Sequence, residues 1–267
     1  MPPLRILITG AAGALGQALR QRLAGRYQLM RLSDRAAMAT AGPGEETVVA
    51  DLSEAAATAR ICSGIDAIVH LGGQSVEGTW DQVIQANLIG AINLYEGARL
   101  AGVDRVLFAT SNHAIGFYRR TQRIDHTAAP RPDSRYGLSK AFGEDLSQYY
   151  ASKHGIRGFC MRIGSCTPEP VNARMLSTWQ SYDDLARLVT VGLEADYHYE
   201  IVYGVSRNTR SWWDNSNAYR LGYDPQDNAE TFAADLEGRV MDHTLDEALQ
   251  GGQYVSPDYT GKPDWID

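Results

Sequence analysis

In residues 6–19, "ILITGAAGALGQAL", a short apolar run of Ile6, Leu7 and Ile8 gives way to a turn with Gly10, Gly13 and Gly16. Leu15, Ala18, Leu19 and then Leu23 follow at helical spacing. A buried strand that feeds a helix through spaced glycines satisfies three demands at once: a tight turn, close approach of backbone to a ligand, and open N–H groups at the helix start. Those are the demands of a pyrophosphate, so the stretch predicts a strand, a phosphate-cradling loop and a helix. Three spaced glycines also occur in flexible turns, and the flanks must therefore carry the reading. About twenty residues on, Asp34 closes the next apolar run, Leu29 to Leu32. A carboxylate there accepts hydrogen bonds from adenosine ribose hydroxyls and repels a 2′-phosphate, which favours NAD over NADP. Arg35 beside it pairs well with a phosphate and softens that preference, while the bland reading of Asp34 is a cap or turn residue.

Outward from this unit, short apolar runs recur at Val48-Val49, Ile68-Val69, Val106 to Ala109, Phe159 to Ile163 and Ile201 to Tyr203. Helical patterns alternate with them: Ile84, Leu88, Ala91, Tyr95 and Ala98, then roughly 134–154, then 183–194 with Asp183 and Asp184 at the positive end. This alternation predicts an α/β fold with a doubly wound parallel sheet covered on both faces. The 267 residues, 44% of them hydrophobic, suit one such domain over 1–267. "TAGPGEE" and "TAAPRPDS" read as surface turns, and after Gly204 only short helices and turns can be placed.

Composition removes several classes of function. No stretch approaches the roughly 18 to 20 apolar residues of a membrane helix, and "MPPLRILITG" runs straight into a strand. A cytoplasmic location and no membrane partner are expected. Cys62, Cys160 and Cys166 form no CxxC pair and suit a reducing compartment. A net charge of −7 without a basic stretch leaves no source of nucleic-acid affinity, so an anionic ligand must be held by local groups. The six histidines show neither H-x-x-x-H nor H-x-E spacing, and no metal is expected.

"TSNHAIGFY", residues 110–118, sets Ser111, Asn112 and His113 directly behind the fifth apolar run, where open α/β sheets bind ligands. "HLGGQS" does the same after the fourth run, bringing Gly72 and Gly73 towards the middle of a dinucleotide, and Asp51 and Leu52 after the third run flank its adenine end. In "RYGLSKAFGED", Tyr136 and Lys140 stand four residues apart, on one face of a helix. A phenol with a pKa near 10 becomes a base at neutral pH only if lowered by about three units, on the order of 4 kcal/mol, which an ammonium and a positive nicotinamide ring together supply. A lysine lying over a buried tyrosine is the bland alternative.

The glycine loop, Asp34, a serine closing the fifth run and Tyr-x-x-x-Lys twenty-five residues later resemble the short-chain dehydrogenase/reductase superfamily. In particular they resemble its extended branch, the NAD-dependent epimerase/dehydratase type, whose glycine motif has the form T-G-x-x-G-x-x-G; "RLGYDPQDNAE" is similar to a late segment of that branch. The resemblance implies a Ser111, Tyr136 and Lys140 trio, with Tyr136 as base, Lys140 lowering its pKa and holding the nicotinamide ribose, and Ser111 on the reacting oxygen. It implies NAD contacts from Gly10, Gly13, Ala14, Leu15, Gly16, Asp34, Asp51, Leu52, Leu71, Gly72, Gly73, Asn87, Lys140 and Ser165. Asn87 resembles the branch's structural and proton-relay asparagine; an asparagine inside a helix is also simply structural.

The chain is short for that branch, which implies a small sugar rather than a nucleotide sugar. "HLGGQSVE", "TSNHAIGFY", "YGLSKAFGE" and "RIGSCTPEPVNARMLSTW" resemble the subfamily that oxidises uronates. That implies oxidation of D-galacturonate and D-glucuronate, as β-pyranoses, at carbon 1 with NAD to the aldarolactone and NADH. Ser75, Ser111, Asn112, His113, Tyr136, Ser165 and Arg174 then contact the sugar, through elements mainly in 164–182 and 204–267. His113 is expected on a sugar hydroxyl or the carboxylate. Arg174 has a physical account, since a guanidinium grips a carboxylate through two parallel hydrogen bonds; its bland reading is a surface ion pair. Family members often pair through helices, so a homo-oligomer is expected. Two rival readings stay open: a nucleotide-sugar epimerase or dehydratase of the same fold, and a regulator that binds the dinucleotide without chemistry.

Overall fold

The computed structural model describes residues 4–266. Strands β1 (Arg5–Thr9), β2 (Leu29–Asp34), β3 (Glu45–Val49), β4 (Ala67–His70) and β5 (Arg105–Ser111) alternate with α1 (Ala14–Arg22), α2 (Ala55–Cys62), α3 (Trp80–Val83) and α4 (Gly90–Ala101). Helix α5 (Arg135–His154) leads to β6 (Arg157–Ile163), then β7 (Ser165–Cys166), α6 (Met175–Thr178), β8 (Trp179–Gln180), α7 (Tyr182–Glu194) and β9 (Tyr199–Gly204). The short helices α8 (Ser216–Arg220), α9 (Ala233–Leu236) and α10 (Thr244–Ala248) close the chain with single 3₁₀ turns.

The seven long strands form one sheet in the order β3-β2-β1-β4-β5-β6-β9, and β1–β2, β1–β4, β2–β3 and β4–β5 pair in parallel. This is the doubly wound order, with its reversal between β1 and β4. Each apolar run of the sequence lies on one of these strands. Every residue of β4 and β5 is buried, as expected for central parallel strands covered on both faces, whereas β3, at the sheet edge, leaves Val49 exposed. Parallel strands need crossovers, and the helices between them supply those crossovers.

Two elements depart from the sequence pattern. Helix α2, "AAATARIC", buries only Thr58, Ile61 and Cys62, and its large apolar residues are adjacent instead of recurring at helical spacing. Between α3 and α4 the backbone widens into a π-helical stretch, Ile84–Ile89, around buried Asn87.

The chain divides into two compact units, one of 1–109, 142–160 and 192–200, the other of 110–141, 161–191 and 201–267. In the second, Ile115, Tyr203, Val205 and Trp213 form one apolar cluster and Leu249, Val255 and Ile266 another. The tail is thus packed into this unit. Buried Asp184 in α7 accepts from the N–H groups of Gln226 (2.8 Å) and Asp227 (3.1 Å), which seats the "RLGYDPQDNAE" segment.

Candidate active site

In the first unit, β1 ends at Gly10, whose φ of +70° only glycine adopts without cost. A Cβ there would lie 2.7 Å from the Gly72 nitrogen, so the loops after β1 and β4 touch backbone to backbone. Gly16 is equally constrained, since a Cβ would collide with Gly10 O and Ala11 Cα. Gly13 caps α1 without a side chain, Ala14 is exposed, Leu15 is half-buried, and the first turn of the helix holds no acidic residue. Its N–H groups and positive dipole end are thereby left to an anion. Asp34 accepts from Ala12 N–H on one oxygen and Ala36 N–H on the other, both at 3.0 Å. It therefore ties the glycine loop to the end of β2 while each oxygen keeps a further lone pair for a ribose hydroxyl.

The loop after β4 is held by its neighbours. Leu71 N–H donates to Thr9 O (3.2 Å) and Gly72 N–H to Thr9 Oγ1 (3.3 Å), and a Cβ on Gly72 would sit 2.7 Å from Leu52 Cδ1. Asn87 clamps Gln74 by both amide atoms, accepting from its N–H (2.7 Å) and donating to its carbonyl (3.1 Å). Asp51 is spent on a turn, accepting from Ser53 N–H and Oγ, which holds its carboxyl below the usual range. Ser75 is exposed on the same loop as Gln74. This cradle of backbone N–H groups, filled wherever a Cβ is added, fits the pyrophosphate of NAD.

The second unit gathers the catalytic candidates. Ser111, the last residue of β5, accepts from His113 N–H (3.2 Å) and so starts the 3₁₀ turn Asn112–Ile115. Tyr136 and Lys140 both lie buried on α5, the ammonium 5.5 Å from the centre of the tyrosine ring. Burial pushes the Tyr136 phenol up; the hydrogen bond with Ser111 pulls it down, and Tyr254 and Asp133 push it further up. Burial lowers the Lys140 ammonium to about 8, so it remains mostly charged at neutral pH. Ser111 alone does not overcome the burial of Tyr136.

Arg174, at the start of α6, is buried and forms no salt bridge among the described residues. Its Nε and Nη2 donate to the Gln250 carbonyl (3.0 and 2.5 Å) and its Nη1 to Ser165 Oγ (3.2 Å). With its amide oriented by its neighbours, Asn112 accepts from Arg174 Nη2 (2.7 Å) and donates to Ile163 O (3.2 Å). Four of the five guanidinium N–H groups thus have neutral acceptors and one, on Nη1, has none among the described residues. Burial, then the charge of Arg120, pushes Arg174 down to about 10, which leaves it charged at neutral pH. The arrangement offers a carboxylate a full charge and one open N–H, rather than a ready pair of parallel donors.

Sequence reasoning missed three residues here. Asp133 accepts from His113 Nδ1 at 2.8 Å. Tyr254 stacks on the His113 ring with centroids 3.9 Å apart. Gln250, fully buried, is locked by Trp213 Nε1, Arg119 O and Gln122 O before it receives Arg174. Only the Gly251-Gly252 pair hinted at the last two, as a place where backbone must pass close to something. Cys62 and Cys160 are buried and Cys166 is half-buried, none of them in a disulfide among the described residues, which also contain no cluster suited to a metal.

A family model described as the NAD dependent epimerase/dehydratase family matches residues 6–175. The chain belongs to that family. Among this family's characterised members, uronate dehydrogenase of Pseudomonas putida is 48% identical over 255 residues, covering 94% of this chain and 95% of its own. A crystal structure of a mutant uronate dehydrogenase from Agrobacterium tumefaciens complexed with NAD is 45% identical, with a TM-score of 0.90 over 94% of this chain and 97% of that one. Glucuronic acid dehydrogenase from Chromohalobacter salexigens is 45% identical, with a TM-score of 0.92 over 98% and 99% of the two chains. Membership of an NAD-dependent epimerase/dehydratase family makes NAD the cofactor for which the glycine cradle is built.

Proposed function

We propose that the chain oxidises D-galacturonate and D-glucuronate, as β-pyranoses, at carbon 1 to the aldarolactone, with NAD as acceptor. Arg174 carries this reading: a buried guanidinium surrounded by a carbonyl, a hydroxyl and an amide is a charge awaiting an anion. The likeness to uronate dehydrogenases over nearly the whole chain supports the same substrate class. Tyr136 accepts the proton of the carbon 1 hydroxyl, Ser111 hydrogen-bonds that oxygen, and Lys140 stabilises the phenolate and holds the nicotinamide ribose. Bound NAD supplies the acceptor for the hydride on carbon 1. One proton and one hydride leave, the ring stays closed, and a lactone results. Asn112, His113, Ser165 and Arg174, with Ser75, contact the sugar, and the remaining substrate-binding elements lie mainly in 164–182 and 204–267.

The glycine loop, Asp34, Asp51, Leu52, Leu71, Gly72 and Gly73 hold the dinucleotide. Among the described residues no helix is long and apolar enough to cross a membrane, in keeping with a cytoplasmic enzyme. Self-association through helices, including α5, follows from the family resemblance. Incubation with NAD and galacturonate, glucuronate, glucose or a nucleotide sugar tests the reading. NADH from the uronates alone is the expected result; NADH only from a nucleotide sugar, or none at all, refutes it.

A further inference from the structure

Asp133 stands out because the space around it is made by missing side chains. A Cβ on Gly116 or Gly251 would collide with its Oδ2, and one on Gly137 would lie 3.1 Å from its Oδ1. The carboxylate is fully buried in this cage and has two partners. Ser134 Oγ donates to Oδ1 (2.7 Å), and His113 Nδ1 lies 2.8 Å from Oδ2. Ser134 has no alternative hydrogen to offer, since its oxygen already accepts from Gly137 N–H (3.0 Å) and its hydroxyl is thereby directed at Asp133. The backbone repeats the link, with Asp133 N–H donating to His113 O (3.3 Å). The imidazole is then gripped between aromatic rings, stacked on Tyr254 and edge-on to Tyr136, whose centroid is 5.8 Å away. Among the described residues no group hydrogen-bonds His113 Nε2.

A carboxylate only accepts, so the proton shared by the pair belongs to Nδ1, and a ring carrying that one proton presents a lone pair at Nε2. We propose that Asp133 is a positioning residue that holds His113 as the Nδ1–H tautomer, so that Nε2 accepts a hydrogen bond from a sugar hydroxyl rather than donating one to the carboxylate. This rests on the uronate-oxidising reading for the identity of the sugar, not for the tautomer. It resolves the two roles open to His113: Arg174 answers the carboxylate and His113 a hydroxyl. A site that accepts from a hydroxyl discriminates strongly against sugars lacking it in that position, because the buried acceptor is then left unpaired.

Asparagine at position 133 fits the glycine cage, and Ser134 fixes its orientation, because the serine hydroxyl must find the amide oxygen. The amide nitrogen then donates to Nδ1 and forces the proton to Nε2, turning the acceptor into a donor. Asp133→Asn should lower kcat/KM for the uronate by about 10²-fold or more, as wrong-tautomer histidines do in other active sites, with NAD affinity unchanged. His113→Gln should cost a similar factor, and the double variant should be no worse than His113→Gln alone. Losses that multiply in the double variant would make Asp133 an independent structural residue and overturn the proposal. Nitrogen-15 NMR of histidine-labelled full-length protein, with the His113 signals assigned through His113→Gln, reads the tautomer directly and needs no folded Asp133 variant. Protonated Nδ1 is expected, and protonated Nε2 with bare Nδ1 refutes the proposal. If the wild-type protein fails to oxidise uronates, the functional reading falls, while the NMR result still decides the role of Asp133.

Discussion

Replacing Arg174 by methionine keeps most of the buried stem and removes the charge and all five donors. The substrate carboxylate then loses its open Nη1 N–H and the field of a cation that makes no direct ion pair among the described residues. A charge-assisted hydrogen bond contributes about 1.5–3 kcal/mol, and truncating one partner of a buried charged pair costs about 2–5 kcal/mol. Taking ~3 kcal/mol, kcat/KM for galacturonate and glucuronate should fall about 10²-fold, mostly through KM. The variant also strands the Gln250 carbonyl, which loses both of its guanidinium donors. That cost falls on stability and on every sugar alike, so the informative quantity is a ratio. Initial rates of NADH formation should be measured for each uronate and for the hexose that differs only in lacking the carboxylate. Wild type should prefer the uronate by a factor that Arg174→Met erases, whatever loss both sugars share. Arg174→Lys, which keeps charge but not the fork, should fall between them. An unchanged uronate-to-hexose ratio in Arg174→Met would refute the assignment of Arg174 to the carboxylate.

Three further outcomes follow from the geometry. Tyr136→Phe should reduce turnover by at least about 10³-fold while NAD titrations give nearly the wild-type affinity; substantial residual rate would exclude the phenol as base. Lys140, held down to about 8 from an ordinary 10.5, opposes folding below about pH 8, and this opposition fades as pH rises towards the unfolded value because the native state sheds its proton first. Lys140→Met should therefore abolish activity yet stabilise the protein at neutral pH by up to ~3 kcal/mol, a gain that shrinks above pH 8, as urea unfolding across that range would reveal. Gly10→Ala forces a side chain onto the Gly72 backbone at a φ of +70°. It should cost at least about 1–2 kcal/mol of stability and weaken NAD binding, and wild-type affinity would show that the cradle is not where the pyrophosphate lies.

The strands were legible because a parallel sheet covered on both faces demands continuous apolar runs, and β1, β4 and β5 obey this strictly. The glycine loop, Asp34 and the Tyr136–Lys140 spacing were legible for a related reason. Their geometry is local, set by a turn or by one helix repeat, and so each leaves a pattern in consecutive residues. Helix α2 was not legible, because its large apolar residues, Ile61 and Cys62, are adjacent rather than repeated at helical spacing. For Asn87 a structural role was open, but not its partner, since Gln74 belongs to a loop thirteen positions away. Ser165 and Asn112 beside Arg174 were among the expected site residues, but Asp133, Gln250 and Tyr254 were hidden in the same way. Asp133 sat in a segment that reads as a surface turn, and Gln250, Gly251 and Tyr254 lie in the stretch after Gly204 where only short helices and turns could be placed.

By itself, then, the sequence determined the order of strands and helices, the phosphate-cradling turn and the residue types available for hydride chemistry, because these rest on interactions between near neighbours and on simple burial. Tertiary structure alone decided that Arg174 is surrounded by neutral acceptors, that Asp133 is caged by three glycines far apart in the chain, and that the tail closes around both. Such decisions depend on the low dielectric and the donors around a buried charge, which are set by segments far apart in the chain, 76 residues for Arg174 and Gln250, and leave no periodicity to read.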